Sequence, residues 1–143
     1  MITLEQAIEV ASGTLARGRE QDAKPLTVVV LDTGGHVVVT YREDRSGILR
    51  VQIATGKAWG ALGMGVSSRE LARRAANNPP FAAAMSAASE GRMIPVPGGV
   101  LIRRDGDIIG AVGVSGDTSE VDEACAVAAV RAAGLEPEPT DEE

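Results

Sequence analysis

The sequence predicts one α/β domain of the α+β kind, with a mostly antiparallel sheet covered by helices. Three observations predict it. Two pairs of β-branched or apolar runs are joined by short glycine turns, helical periodicity is grouped before, between and after them, and 143 residues suffice for one core. No linker divides the chain and no internal repeat occurs, so residues 1–135 are expected to form the domain and 136–143 an acidic tail.

Thr3 and Gln6 have capping-box spacing, and Leu4, Ala7, Ile8, Ala11 and Leu15 follow at helical intervals, predicting a first helix to about Arg19. Leu26 to Leu31 and Val37 to Tyr41 flank Asp32-Thr33-Gly34-Gly35, the pattern of a hairpin, here expected to be buried on both faces. From Ile48 the period changes. Ile48, Val51, Thr55, Ala58, Trp59 and Leu62 trace one face of a second helix that Gly63 and Gly65 should stop. Ser67 or Ser68 can cap a third helix to Asn77, and after the Asn77-Asn78-Pro79-Pro80 break a fourth should span Phe81 to Ser89.

Val100 to Arg103 and Ile108 to Val114 enclose Arg104-Asp105-Gly106-Asp107, where Asp-Gly signals a second hairpin. Gly116-Asp117-Thr118-Ser119 starts the last helix, with Val121, Ala124, Cys125, Ala128 and Ala132 as its expected apolar face. The order α-β-β-α-α-α-β-β-α favours hairpin-joined antiparallel strands over a doubly wound sheet.

Composition narrows the function classes. Five of the 20 acidic residues follow Leu135, leaving 15 against 14 Lys and Arg, so the expected domain has no basic excess for nucleic acid. Tyr41, Trp59 and Phe81 are too few for a base-stacking platform. No apolar run is long enough to span a bilayer and no secretory start is evident, so a cytoplasmic protein without membrane contact is expected. Cys125 is alone and falls on an apolar helix face, where a small buried hydrophobe is the ordinary reading; no paired Cys/His spacing suggests a metal site. The proline-interrupted acidic tail reads as disordered and dispensable.

The glycine clusters match no phosphate loop. Gly60 to Gly65 ends a helix, and Gly110 to Gly116 lacks both the dinucleotide spacing and a P-loop lysine. Two glycine turns form a candidate ligand site: Gly98, Gly99 and Val100 before one strand, and Ser115, Gly116, Asp117 and Thr118 before a helix. Glycine admits a ligand to the backbone, and the helix start offers N–H groups to an anion. The competing reading is that these residues serve only tight turns and helix capping. Lys57 lies off the expected helix face and reads as a solvated lysine. Arg69 and Arg73 read as partners of Glu70 or the tail, and Asp122 and Glu123 point in different directions rather than forming a carboxylate pair.

Taken together, Val29-Val30-Leu31-Asp32-Thr33-Gly34-Gly35-His36-Val37, Ala54-Thr55-Gly56-Lys57-Ala58, Pro95-Val96-Pro97-Gly98-Gly99-Val100 and Ile109 to Asp117 with Asp122-Glu123 resemble the GlcG/HbpS-like family. This is also called the haem-degrading domain family and is related to the C-terminal domain of PduO-type proteins. The resemblance covers Thr3 to Leu135. It implies a profilin-like fold with a five-stranded antiparallel sheet flanked by helices, the fifth strand expected around Met93 to Pro97, and homo-oligomers. It also implies a small-ligand-binding protein of the haem-binding type, with haem as candidate cofactor. The iron-ligand candidates are His36 foremost, then Tyr41, Cys125, Met64, Met85 and Met93. Two alternatives stay open: an enzyme on a small carboxylate or hydroxy acid using Lys57 or His36, and a structural oligomeric subunit.

Overall fold

Thr3 opens the fold by capping α1 (Leu4–Glu20) in the computed structural model, which describes residues 1–140. The Gln6 N–H donates to Thr3 Oγ1 (3.1 Å) and the Thr3 N–H donates to Gln6 Oε1 (2.9 Å), so two helix-end donors are satisfied reciprocally. β1 (Thr27–Asp32) and β2 (Val37–Arg42) form the first hairpin. α2 (Arg50–Met64) stops at Gly65, whose φ of 71° suits glycine. Ser67 caps α3 (Ser68–Asn77), and Asn78 accepts the Phe81 N–H to cap α4 (Pro79–Ala88). β3 (Gly99–Arg104) and β4 (Asp107–Ser115) make the second hairpin, and α5 (Ser119–Ala132) and β5 (Glu136–Glu138) complete the chain.

The sheet is antiparallel throughout, in the order β2-β1-β4-β3-β5. Strand side chains alternate between two cores. Val28, Val30, Val100, Ile102, Val112 and Val114 pack with α1 and α5, whereas Val29, Leu31, Leu101 and Ala111 pack under Ala54, Ala58 and Ala61 of α2. Each fully buried Val, Leu or Ile contributes roughly 1.5–3 kcal/mol. α2 lies unusually close to the sheet because Gly99 and Gly113 carry no side chain. A Cβ at Gly113 would run into the Ala54 carbonyl oxygen, and one at Gly99 into that of Lys57.

The structure corrects four expectations. The fifth strand is Glu136–Glu138, not Met93 to Pro97, so the start of the expected acidic tail is ordered and pairs with β3. Its prolines, Pro137 and Pro139, are buried, and Glu138 pairs with Arg103 (2.8 Å): packing against a strand edge outweighs a polar composition. Residues 141–143 of that expected tail lie outside the described residues. β2 is an edge strand and half-exposed rather than buried on both faces. The expected faces of α2 and α5 hold only in part: Ala58, Trp59 and Leu62 of α2 and Val121 and Cys125 of α5 pack in the cores, but α2 also buries Ala54, Gly56, Lys57, Gly60 and Ala61, and Ala124 and Ala132 of α5 are exposed. In α2, Ala54, Ala58 and Ala61 permit the close approach to the sheet with Trp59 and Leu62 packed beside them, while Gly56 and Gly60 are covered by the segment from Arg92 to Ile94. Among the described residues no helix is long and apolar enough to cross a membrane.

Candidate functional site

Lys57 overturns its reading as a solvated lysine. Its side chain is 4% exposed and passes beside Gly98, where a Cβ would lie 2.8 Å from Nζ. Nζ donates to the Val114 carbonyl (2.9 Å) and to Asp122 Oδ2 (3.3 Å), a carboxylate 1% exposed. Asp122 Oδ1 accepts the Asp117 N–H (2.9 Å). Burial pulls the Lys57 pKa below its ordinary value against the opposing pull of Asp122, and pushes the Asp122 carboxyl up. Next to this pair, Glu123 is buried and accepts from Arg69 Nε (3.0 Å), and Arg50 donates to Ser115 Oγ (3.0 Å). Glu70 takes Arg73 and Arg74.

The two glycine turns do meet. Gly98 accepts the Val114 N–H (3.0 Å), and Gly99, Val100 and Ser115 are buried around Lys57. Four of their N–H donors, however, are already engaged. The Gly99 N–H goes to Ser68 Oγ (2.7 Å), that of Asp117 to Asp122, that of Thr118 to Asp117 Oδ1 (2.7 Å), and that of Val121 to Thr118 Oγ1. The turns thus enclose a buried Lys57–Asp122 pair, and a concavity of about 350 Å³ lined by Arg69, Pro97, Glu120 and Glu123 opens beside it. Gly116 adjoins the Pro25 carbonyl, which any side chain there would strike, so substituting it reports on folding rather than on ligand access.

His36 sits at the first hairpin tip, 81% exposed, with Nδ1 3.3 Å from Asp32 Oδ1. The Asp32 carboxylate accepts the His36 and Gly34 N–H groups (3.0 and 2.9 Å), which hold its pKa down. His36 and Lys57 cannot act on one small molecule: β1 pairs Asp32 with Gly110, while Lys57 meets Val114, and those positions on β4 lie roughly 13 Å apart. Cys125 is the buried hydrophobe expected, with the Gln21 amide 2.9 Å from its sulfur.

A second, more apolar concavity lies between α2 and the segment that follows α4. A groove of about 500 Å³ has Leu49, Ile53, Trp59 and Ile94 among its walls, with Arg92 and Glu90 at its polar end. The Arg92 guanidinium stacks over the Trp59 ring 4.0 Å from its centroid. Gly35 abuts the same indole from the hairpin side, where a Cβ would lie 3.0 Å from Trp59 Cδ1. Leu49 and Ile48 stand exposed at 62% and 88%. Sequence reasoning treated Trp59 as core-facing and assigned no role to Arg92. Trp59 does pack against the core under α2, while Arg92 stacks on its ring; the available signal was Gly56 and Gly60, the bare positions of α2 that the segment from Arg92 to Ile94 covers.

An antiparallel five-stranded α/β domain with a helix-borne apolar groove is the class that this architecture defines. Residues 2–131 match the family described as haem degrading protein HbpS-like, and the chain belongs to that family. A corrinoid adenosyltransferase PduO of Salmonella typhimurium is 32% identical over 110 residues, 76% of this chain and 32% of that protein. The chain spans about a third of the length of the curated relatives it matches. Klebsiella pneumoniae protein ORFY is 27% identical with a TM-score of 0.85, covering 93% of this chain and 90% of that one. A PduOC:heme complex shares the fold with a TM-score of 0.85 at 24% identity, over 94% and 96% of the two chains.

Proposed function

We propose that the domain binds a flat, largely apolar ligand bearing an anionic group, with haem the foremost candidate, in the Trp59 groove. The observation that carries this reading is the groove itself: about 500 Å³ between largely apolar walls, with the Arg92 guanidinium at one end. The family description and the haem-bound structural neighbour support it. Arg92 would hold a carboxylate, while Ile53, Ile94 and Trp59 would exclude water from an apolar face. The groove walls contain no imidazole, thiol or phenol; His36, the chain's single histidine, stands on the hairpin that abuts Trp59 and would be the candidate to hold the iron. Haem, when bound, supplies an iron centre for electron exchange or diatomic-ligand binding.

Hemin titration tests the reading. A Soret band saturating at one hemin per chain, with quenching of Trp59, is expected. Ile53→Glu and Arg92→Ala should each weaken binding by about tenfold or more, since each removes a group worth 1.4 kcal/mol or so. His36→Ala should shift the spectrum if the imidazole ligates. Unchanged affinity in a folded Ile53→Glu protein would place the ligand elsewhere. The same reading includes a homo-oligomer, supported by α4, which has no charged and no buried residue; light scattering showing only a 14.7 kDa monomer at micromolar concentration would refute that part.

A further inference from the structure

We propose that the three internal methionines form a binding site for a soft monovalent metal ion, Cu(I) or Ag(I). The chain has four methionines, and all except Met1 line one cavity of about 170 Å³. They come from three different places: Met64 from the last turn of α2, Met85 from α4, and Met93 from the segment that follows α4. Trp59 borders the same cavity.

Local geometry explains the convergence. Gly60 and Gly63 are one turn apart on α2 and leave the cavity floor bare. Met93 lies directly over Gly60, where a Cβ would collide with its Cγ, whereas a Cβ at Gly63 would meet nothing within 4 Å. The Met93 N–H donates to Ser89 Oγ (3.2 Å), which fixes the chain so that the Met93 side chain turns inward and is 8% exposed. Met64 and Met85 are half-buried, with room to move their flexible thioethers toward a common point.

The donor set selects the ion. No carboxylate, imidazole or thiol lines the cavity, so hard cations and zinc find no ligands there, whereas neutral thioethers favour Cu(I) and its analogue Ag(I). Among the described residues no group of three His, Cys, Asp or Glu could hold a metal, so the thioether cluster has no rival of that kind. Thioethers carry no proton at accessible pH, so binding should be independent of pH, unlike binding through Cys125 or His36. The site does not depend on the haem-type reading, which concerns the groove on the Arg92 side of Trp59.

The test is titration of the full-length reduced protein with Ag(I), followed by Trp59 fluorescence and by NMR of carbon-13-labelled methionine methyl groups. Saturation at one ion per chain is expected, with shifts at Met64, Met85 and Met93 and none at Met1. The Met64→Leu/Met85→Leu variant, both positions being half-exposed and tolerant of leucine, should lose affinity by about 10- to 100-fold or more. Affinity should stay constant between about pH 5.5 and about pH 8, a range that crosses the ordinary histidine titration. Unshifted methyl resonances in the parent protein would overturn the proposal, as would a folded double variant that binds as tightly as the parent. Affinity that falls on acidification would assign the ion to Cys125 or His36 instead. Methyl shifts produced only by a partner protein or peptide, with none from Ag(I), would make the cavity a docking groove.

Discussion

Replacing Lys57 by Met should cost about 3–5 kcal/mol at neutral pH, because the substitution leaves the Asp122 carboxylate buried without its counter-charge. Both side chains are almost wholly enclosed, at 4% and 1% exposure, so water cannot screen the loss. The Val114 carbonyl loses its 2.9 Å donor as well. Against a total stability of about 5–15 kcal/mol this is a large fraction, equivalent to a fall in melting temperature of roughly 6–20 °C. The deficit should depend on pH in a definite direction. Burial already raises the Asp122 pKa above its ordinary 3.8, and losing Lys57 removes a group that holds it down. The native variant therefore binds more protons than the unfolded chain between 3.8 and the raised value. Its cost is fully present above that raised value and is relieved as the pH falls through it. Adding Asp122→Asn, which keeps an acceptor for the Asp117 N–H, should recover most of the loss. The assay is urea denaturation followed by circular dichroism, run at about pH 7 and about pH 5 on parent, single and double variants. A Lys57→Met protein within about 1 kcal/mol of the parent at neutral pH would refute the reasoning, as would an Asp122→Asn substitution that adds its own loss to the first.

Three further outcomes are expected. Gly113→Ala should destabilise by about 1–3 kcal/mol or more in a thermal melt, since its Cβ would strike the Ala54 carbonyl and crowd the Ala58 Cβ, so that α2 must lift from the sheet. Ending the chain after Leu135 should lower stability by about 2 kcal/mol by removing β5, its two buried prolines and the Glu138–Arg103 pair; an unchanged melting temperature would show that the edge pairing contributes nothing. Below pH 3.8, acid should destabilise through Asp32 and Asp117, whose carboxylates are held down by backbone N–H donors from His36 and Lys24 respectively; that stability is present above 3.8 and lost as the pH falls through the depressed values. The Asp32→Asn/Asp117→Asn variant should show a flatter acid limb in melting temperature against pH.

The elements α1 to α5 and β1 to β4 were legible because local signals agree with the fold: the Thr3 capping box, the Asp105-Gly106 turn and the Asn78-Pro79-Pro80 break each do in the structure what their chemistry implies. What failed was the facing of helices rich in alanine and glycine. Hydrophobic periodicity finds Trp59 and Leu62, which do pack against the core, but passes over Ala54 and Ala61, which close approach to Gly99 and Gly113 buries completely. Lys57 and Asp122 were misjudged for the same reason, since a charge among small residues looks solvated until the sheet is brought within reach. β5 was missed because Glu-Pro-Glu has no strand propensity; β3 supplies its partner edge. Of the site, the sequence located the two turns correctly in space but not the engagement of their donors, and it offered no reason to join Trp59 with Arg92.

The composition of β5 has a consequence for how copies of the protein behave when crowded together. An edge strand ordinarily templates further strands, which is how soluble sheets seed aggregates. Here the edge beyond β3 is closed by Glu136, Pro137 and Glu138, with Pro139 next in line. Two of those four positions have no N–H to offer an incoming backbone, and the side chains of the other two turn back to the parent sheet, Glu138 to Arg103 and Glu136 to the Gly106 N–H. The sheet therefore terminates itself on that side, and runaway strand addition is left only the opposite margin, where β2 exposes Val37.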